Sequence, residues 1–138
     1  MLQWLIDLIR EAVSPDTGLV YRTGAVDNDF RAVDFTKDNA WHELDLFGIV
    51  PPYAVAVVVR LRIKSEIANA RVRFRVRGDT QGFVVTEART FDPAWLYCSD
   101  VIIFLDAFRF CEYRIPNIVW NNIDFTVAGW WLNRTVFH

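Results

Sequence analysis

The sequence predicts an antiparallel all-β sandwich, jelly-roll-like, with a short N-terminal α-helix. Three observations carry this reading. Apolar and polar residues alternate through much of the chain after Leu19, the period of a half-buried strand. Turn-forming residues interrupt these runs roughly every eight to twelve positions, the spacing of a sandwich or jelly roll. Eleven Phe, six Trp and four Tyr favour a pleated surface, on which flat rings pack well. A chain of 138 residues suits one core, and a hydrophobic fraction of 53% excludes a disordered chain. A small closed barrel has the same local pattern and is the competing architecture.

Two units follow, an N-terminal helical unit over 1–15 and a β-domain over 16–138. Leu2, Leu5, Ile6, Ile9 and Val13 recur at spacings of three and four, which predicts an amphipathic helix over residues 2–13. Pro15 and Gly18 end it. So short a helix is marginal alone in water, so its apolar face requires a partner surface. Strands are expected at Leu19–Thr23, Arg31–Phe35, Trp41–Leu46, Ala54–Lys64, Arg71–Arg77, Phe83–Thr90, Asp100–Leu105, Phe108–Ile115 and Asn122–Trp131. Trp41, Leu44 and Leu46 are expected in the core. In the clearest strand, Val55, Val57, Val59, Leu61 and Ile63 share one face. In Arg71–Arg77, Val72, Phe74 and Val76 point in and four arginines point out. Gly78–Gly82 reads as a turn, and Asp106-Ala107 as a hairpin connection.

Net charge is −2, so overall charge implies no nucleic-acid partner. The charge is unevenly spread: residues 1–45 carry −5 and residues 60–77 carry +6. The basic segment makes Arg60, Arg62, Lys64, Arg71, Arg73, Arg75 and Arg77 a candidate interface face. If the two strands were direct neighbours, Lys64 would oppose Arg71 and Arg62 would oppose Arg73, at about 0.2–1 kcal/mol per like-charged pair. Interleaved acids, separate sheets or an acidic partner would each relieve that repulsion. No basic leader precedes the first apolar stretch and no run of eighteen apolar residues exists, so neither a signal peptide nor a membrane-spanning helix is expected. Cys98 and Cys111 lack any CxxC spacing and are expected to be reduced.

Catalytic signals are weak, and no enzyme activity is expected. His42 is the single internal histidine, and no spacing ties it to Cys98 or Ser99 as a nucleophile pair. Asp27-Asn28-Asp29 offers hard oxygens for calcium but is an ordinary turn sequence, so neither a metal nor a cofactor is expected. Trp95, Trp120 and Trp131 are candidate platforms for a stacked sugar, against the commoner reading of core aromatics. Trp130 and Trp131 are adjacent, so in a strand one faces the core and the other a surface.

Several phrases carry a resemblance. Asp34-Phe35-Thr36 leads to Trp41-His42-Glu43-Leu44-Asp45-Leu46, then Ile49-Val50-Pro51 and the long strand Ala54–Ile63. Phe74-Arg75 with Gly78 follows, then Phe104-Leu105-Asp106, Glu112-Tyr113-Arg114 and Ala128-Gly129-Trp130-Trp131. This order resembles a small β-sandwich module of phage tail-fibre, spike and other virion surface proteins, over roughly residues 30–132. The resemblance implies a virion structural protein, made in the host cytoplasm and carried in the particle. A head decoration or a fibre or tail accessory fits it. It further implies a homo-oligomer, most simply a homotrimer, contacts with other virion proteins and no catalytic residues. The alternative function is a carbohydrate-binding module that recognises a host glycan.

Overall fold

Val57, Val59, Leu61 and Ile63 are buried while Arg60 and Arg62 between them are exposed, so the strict alternation in this stretch produces one dry face and one wet face. The same logic builds the rest. The computed structural model describes residues 18–24, 28–82 and 84–133. Their strands are β1 (Leu19–Tyr21), β2 (Trp41–Asp45), β3 (Ala54–Ser65), β4 (Arg71–Val76), β5 (Val85–Arg89), β6 (Tyr97–Phe104), β7 (Phe110–Arg114) and β8 (Trp120–Leu132). The helix expected over residues 2–13 lies outside the described residues.

Two four-stranded antiparallel sheets form, in the orders β1-β8-β3-β6 and β2-β7-β4-β5. The pairs β1–β8, β2–β7, β3–β6 and β4–β5 are the nested pairs of a jelly roll, and the sheets pack as a sandwich. Between them lie Phe74 and Phe125, both fully buried, with Leu46, Leu61, Ile63, Ile103, Ile115 and Ile123. Ser65 and Thr90 are the buried polar residues among those described. Their hydroxyls meet at 3.1 Å, Thr90 Oγ1 accepts the Ala70 N–H, and Ser65 Oγ donates to the Ile67 carbonyl. This clamp ties the end of β3 in one sheet to the end of β5 in the other.

Four expectations are corrected. Arg31–Phe35 is not a strand but a 3-10 turn at Ala32–Asp34. The Asp34 carboxylate reaches back to accept the Arg31 N–H at 2.8 Å, a local bond that competes with extended backbone. Val55 does not share the core face of Val57. A register shift between Ala54 and Ala56 takes it out of the alternation and leaves it exposed. Trp41 is half-buried on the outer face, because Leu44 and Leu46 hold the inward parity of β2 and the Arg75 guanidinium stacks over its ring at 4.1 Å. The turn at Asp106 is tight, with Asp106 Oδ1 accepting the Phe108 and Phe110 N–H groups, yet it joins β6 and β7 in opposite sheets. It is an arch across the sandwich, not a hairpin. The β4–β5 connection, with Gly78 and Gly82 at positive φ, is the true hairpin.

Candidate functional site

The two arginine-rich strands lie in different sheets, so the predicted basic face is two faces pointing away from each other. On the outer face of the first sheet, Arg60 pairs with Asp100 at 3.1 Å, and Arg62 and Lys64 stand opposite Asp124 and Asn122 on β8. The second sheet carries the longer ladder, and one half of it is neutralised. Arg75 meets Glu112 at 2.6 Å, and Arg77 meets Asp106 at 2.6 Å while stacking on Phe110 at 4.0 Å. Glu43 and Glu112, directly opposed across β2 and β7, are kept compatible by these two arginines, since Arg77 also approaches Glu43 at 3.6 Å.

The other half of the ladder is only partly neutralised. Arg71 stands opposite Arg89, and Arg73 stands opposite Arg114. Glu87 approaches Arg73 at 3.5 Å and Arg89 at 3.9 Å, and it is the one carboxylate within ion-pair distance of these four guanidiniums among the described residues. A cleft of about 310 Å³ opens here, with Arg71, Arg73 and Arg114 at its base and Asn39, Asn69 and Ile118 on its walls.

The three candidate sugar-stacking tryptophans do not converge. Trp95 is exposed in the β5–β6 loop. Trp120 packs against the core and donates its indole N–H to the Pro116 carbonyl at 3.1 Å. Trp131 sits at the opposite end of β8, and its neighbour Trp130 is the one turned to the core. His42 holds the Asp38 carboxylate at 2.8 Å, and that hydrogen bond lowers the Asp38 pKa from its ordinary value. His42 is on β2 at one edge of the sandwich, and Cys98 and Ser99 are on β6 at the other, so neither pair forms. Both cysteines are free thiols. Burial pushes the Cys111 pKa up to about 12, so it is neutral and unreactive at physiological pH, whereas Cys98 is exposed. Asp27 lies outside the described residues. Asn28 bonds Thr126, and Asp29 accepts from Arg22 at 2.6 and 3.0 Å, so a cation already occupies that carboxylate. No helix among the described residues is long and apolar enough to cross a membrane.

A further surface escaped the reading of the sequence. On the outer face of the first sheet, the register aligns Leu19, Trp131, Ala56 and Phe104 in one row across four strands. Tyr21, Gly129, Val58 and Ile102 form the next row. Phe104 and Ile102 are about half exposed, and a groove of about 370 Å³ runs between Val55, Ala56, Ile102, Phe104, Trp131 and Leu132. The third row is polar, with Arg60 between Asp100 and Thr126. The chain matches no protein-family model, no curated protein and no solved structure. The signal for the two apolar rows is nonetheless in the sequence. Val101–Leu105 and Ala54–Val59 are apolar at every position, the mark of strands covered on both faces, and only one of those faces is covered by the opposing sheet.

Proposed function

We propose that the protein is a structural component of a phage virion that acts by protein–protein assembly. The observation that carries the assembly role is the pair of apolar rows spanning the β1-β8-β3-β6 sheet, a surface that water penalises until something covers it. The virion setting rests on the resemblance carried by Trp41–Leu46, Ala54–Ile63, Glu112-Tyr113-Arg114 and Gly129-Trp130. A double-sheet jelly roll is compatible with it, since viral capsid domains use that architecture, as do lectins.

The occupant of the groove is the amphipathic segment 2–13 of a neighbouring copy. Gly18 is bonded to this border of the sheet, its carbonyl accepting the Leu132 N–H at 3.3 Å, and Leu19 is the first residue of the apolar row. Gly18, five positions after this segment in the sequence, therefore stands beside the groove. Twelve helical residues span about 18 Å, and four strands span about 14 Å between outer axes, so one such helix crosses the whole sheet. Exchange of this segment among copies closes an oligomer, and the resemblance favours a trimer.

Light scattering on the full chain is expected to give a closed oligomer, and deletion of residues 1–13 is expected to give a folded monomer. An oligomer of unchanged mass after the deletion would remove the segment from the contact.

A further inference from the structure

We infer that the arginine cleft on the β2-β7-β4-β5 sheet is a binding site for the carboxylate of an acidic sugar residue. The site faces away from the apolar rows, so it stays open to solvent when those rows are covered. Glu87 is the one carboxylate near the four guanidiniums of Arg71, Arg73, Arg89 and Arg114 among the described residues, and it reaches Arg73 and Arg89 alone. Neighbouring acids are engaged elsewhere: Glu112, the next outward residue on β7, with Arg75, Asp38 with His42 and the Ala40 N–H, and Glu66 with the Asn121 amide. Directly opposed arginines repel in the free protein, and an anion seated between them converts repulsion into charge-assisted hydrogen bonds.

The cleft is built rather than incidental. Its base is the rigid face of β4 and β7, and one wall is the β3–β4 loop, which the Ser65–Thr90 clamp holds at both ends. Arg114 Nε donates to the Asn39 carbonyl and to Asn39 Oδ1, which fixes the guanidinium and leaves the Asn39 amide nitrogen as a donor. Asn69 adds a second amide at the loop, and Ile67, Pro116 and Ile118 provide an apolar flank. Arginine forks hold a planar carboxylate on two points, amides suit ring hydroxyls, and the volume fits one sugar residue. No aromatic ring lines the cleft, which disfavours a stacked nucleobase. Arg71, Arg73 and Arg114, which line the cleft, stand on the face of the central strands β4 and β7, where an extended peptide cannot add as a strand.

The test is titration of the full-length protein with sodium glucuronate, followed by backbone amide shifts. Glucose, inorganic phosphate and a glutamate-rich peptide serve as comparison probes. Saturable shifts with glucuronate in residues 67–71 and 114–118, absent with glucose, are expected. R71Q and R114Q are each expected to weaken binding by about tenfold or more. R60Q, which removes the same charge from the other sheet, is expected to leave it unchanged. Circular dichroism confirms that each variant is folded. Failure of glucuronate to bind, or binding unaffected by R71Q and R114Q, would overturn the proposal. So would equal or tighter binding of phosphate or of the peptide, which would make the cleft a simple anion site or a contact for an acidic protein segment.

Discussion

Phe125→Ala is expected to destabilise the domain by about 4 kcal/mol, the upper part of the range for a large buried aromatic. Phe125 is fully buried in β8, and three rings surround it: Phe30 edge-on at 5.5 Å, Phe74 at 5.7 Å and Phe35 at 6.2 Å. These neighbours come from the β1–β2 loop and from β4 in the opposite sheet, so no single element can collapse into the space that truncation leaves. Lost transfer energy and a persistent cavity therefore add together. Phe30 and Phe125 also exchange backbone hydrogen bonds at 2.9 and 3.1 Å, so loosening this ring contact frees the β1–β2 loop. Thermal unfolding should show a midpoint lowered by roughly 10–20 °C. A shift of only two or three degrees would mean that the rings around Phe125 repack.

Asp29→Ala is expected to cost about 3 kcal/mol for a different reason. The strand β1 is only three residues long, and beyond it the edge of β8 is covered by side chains. Asp29 accepts the Val127 N–H at 2.8 Å, while Arg22 donates to the Val127 carbonyl at 3.0 Å and to both Asp29 oxygens. The side chains are 4% and 14% exposed, so removal of the acid strands a cation and a backbone donor in a dry place. Loss of one partner of a buried pair costs far more than loss of both. Urea unfolding of Asp29→Ala, Arg22→Ala and the double variant should therefore give a double-variant loss well below the sum of the singles. Additive losses would show that the two side chains act separately.

Much of this architecture was legible in the residues, and the failures have identifiable physical causes. The strands β3, β4 and β8 were readable because branched and aromatic residues alternate with charged ones, and only a strand buries such a set. The sandwich itself was legible for the same reason. The 3-10 turn at Ala32–Asp34 was not, since its apolar residues keep a strand-like spacing and one aspartate bond decides the conformation. Val55 and Trp41 were misplaced because parity extrapolates only while register holds, and a bulge or the inward demands of Leu44 and Leu46 reset it. The basic face looked continuous because nearness along the chain stood in for nearness in space. In a jelly roll, consecutive strands such as β3 and β4 belong to opposite sheets. The arginine cleft depends on which strands pair, so only the fold reveals that Arg73 meets Arg114. The apolar rows were within reach: a strand with no polar face states that both its faces are to be covered.

The salt dependence of assembly separates the two surfaces. The rows on the first sheet are uncharged and the arginine cleft lies on the other sheet, so the oligomer is expected to persist at high salt. The most direct test of the assembly claim is the solution mass of Phe104→Glu by light scattering, beside the unmodified chain at low and high salt. Phe104 points outward from β6 and is 46% exposed, so a glutamate there leaves the core intact. The expected result is an oligomer at both salts for the unmodified chain and a folded monomer for Phe104→Glu. A Phe104→Glu variant with the same mass as the unmodified chain would show that the contact lies elsewhere and would contradict the account.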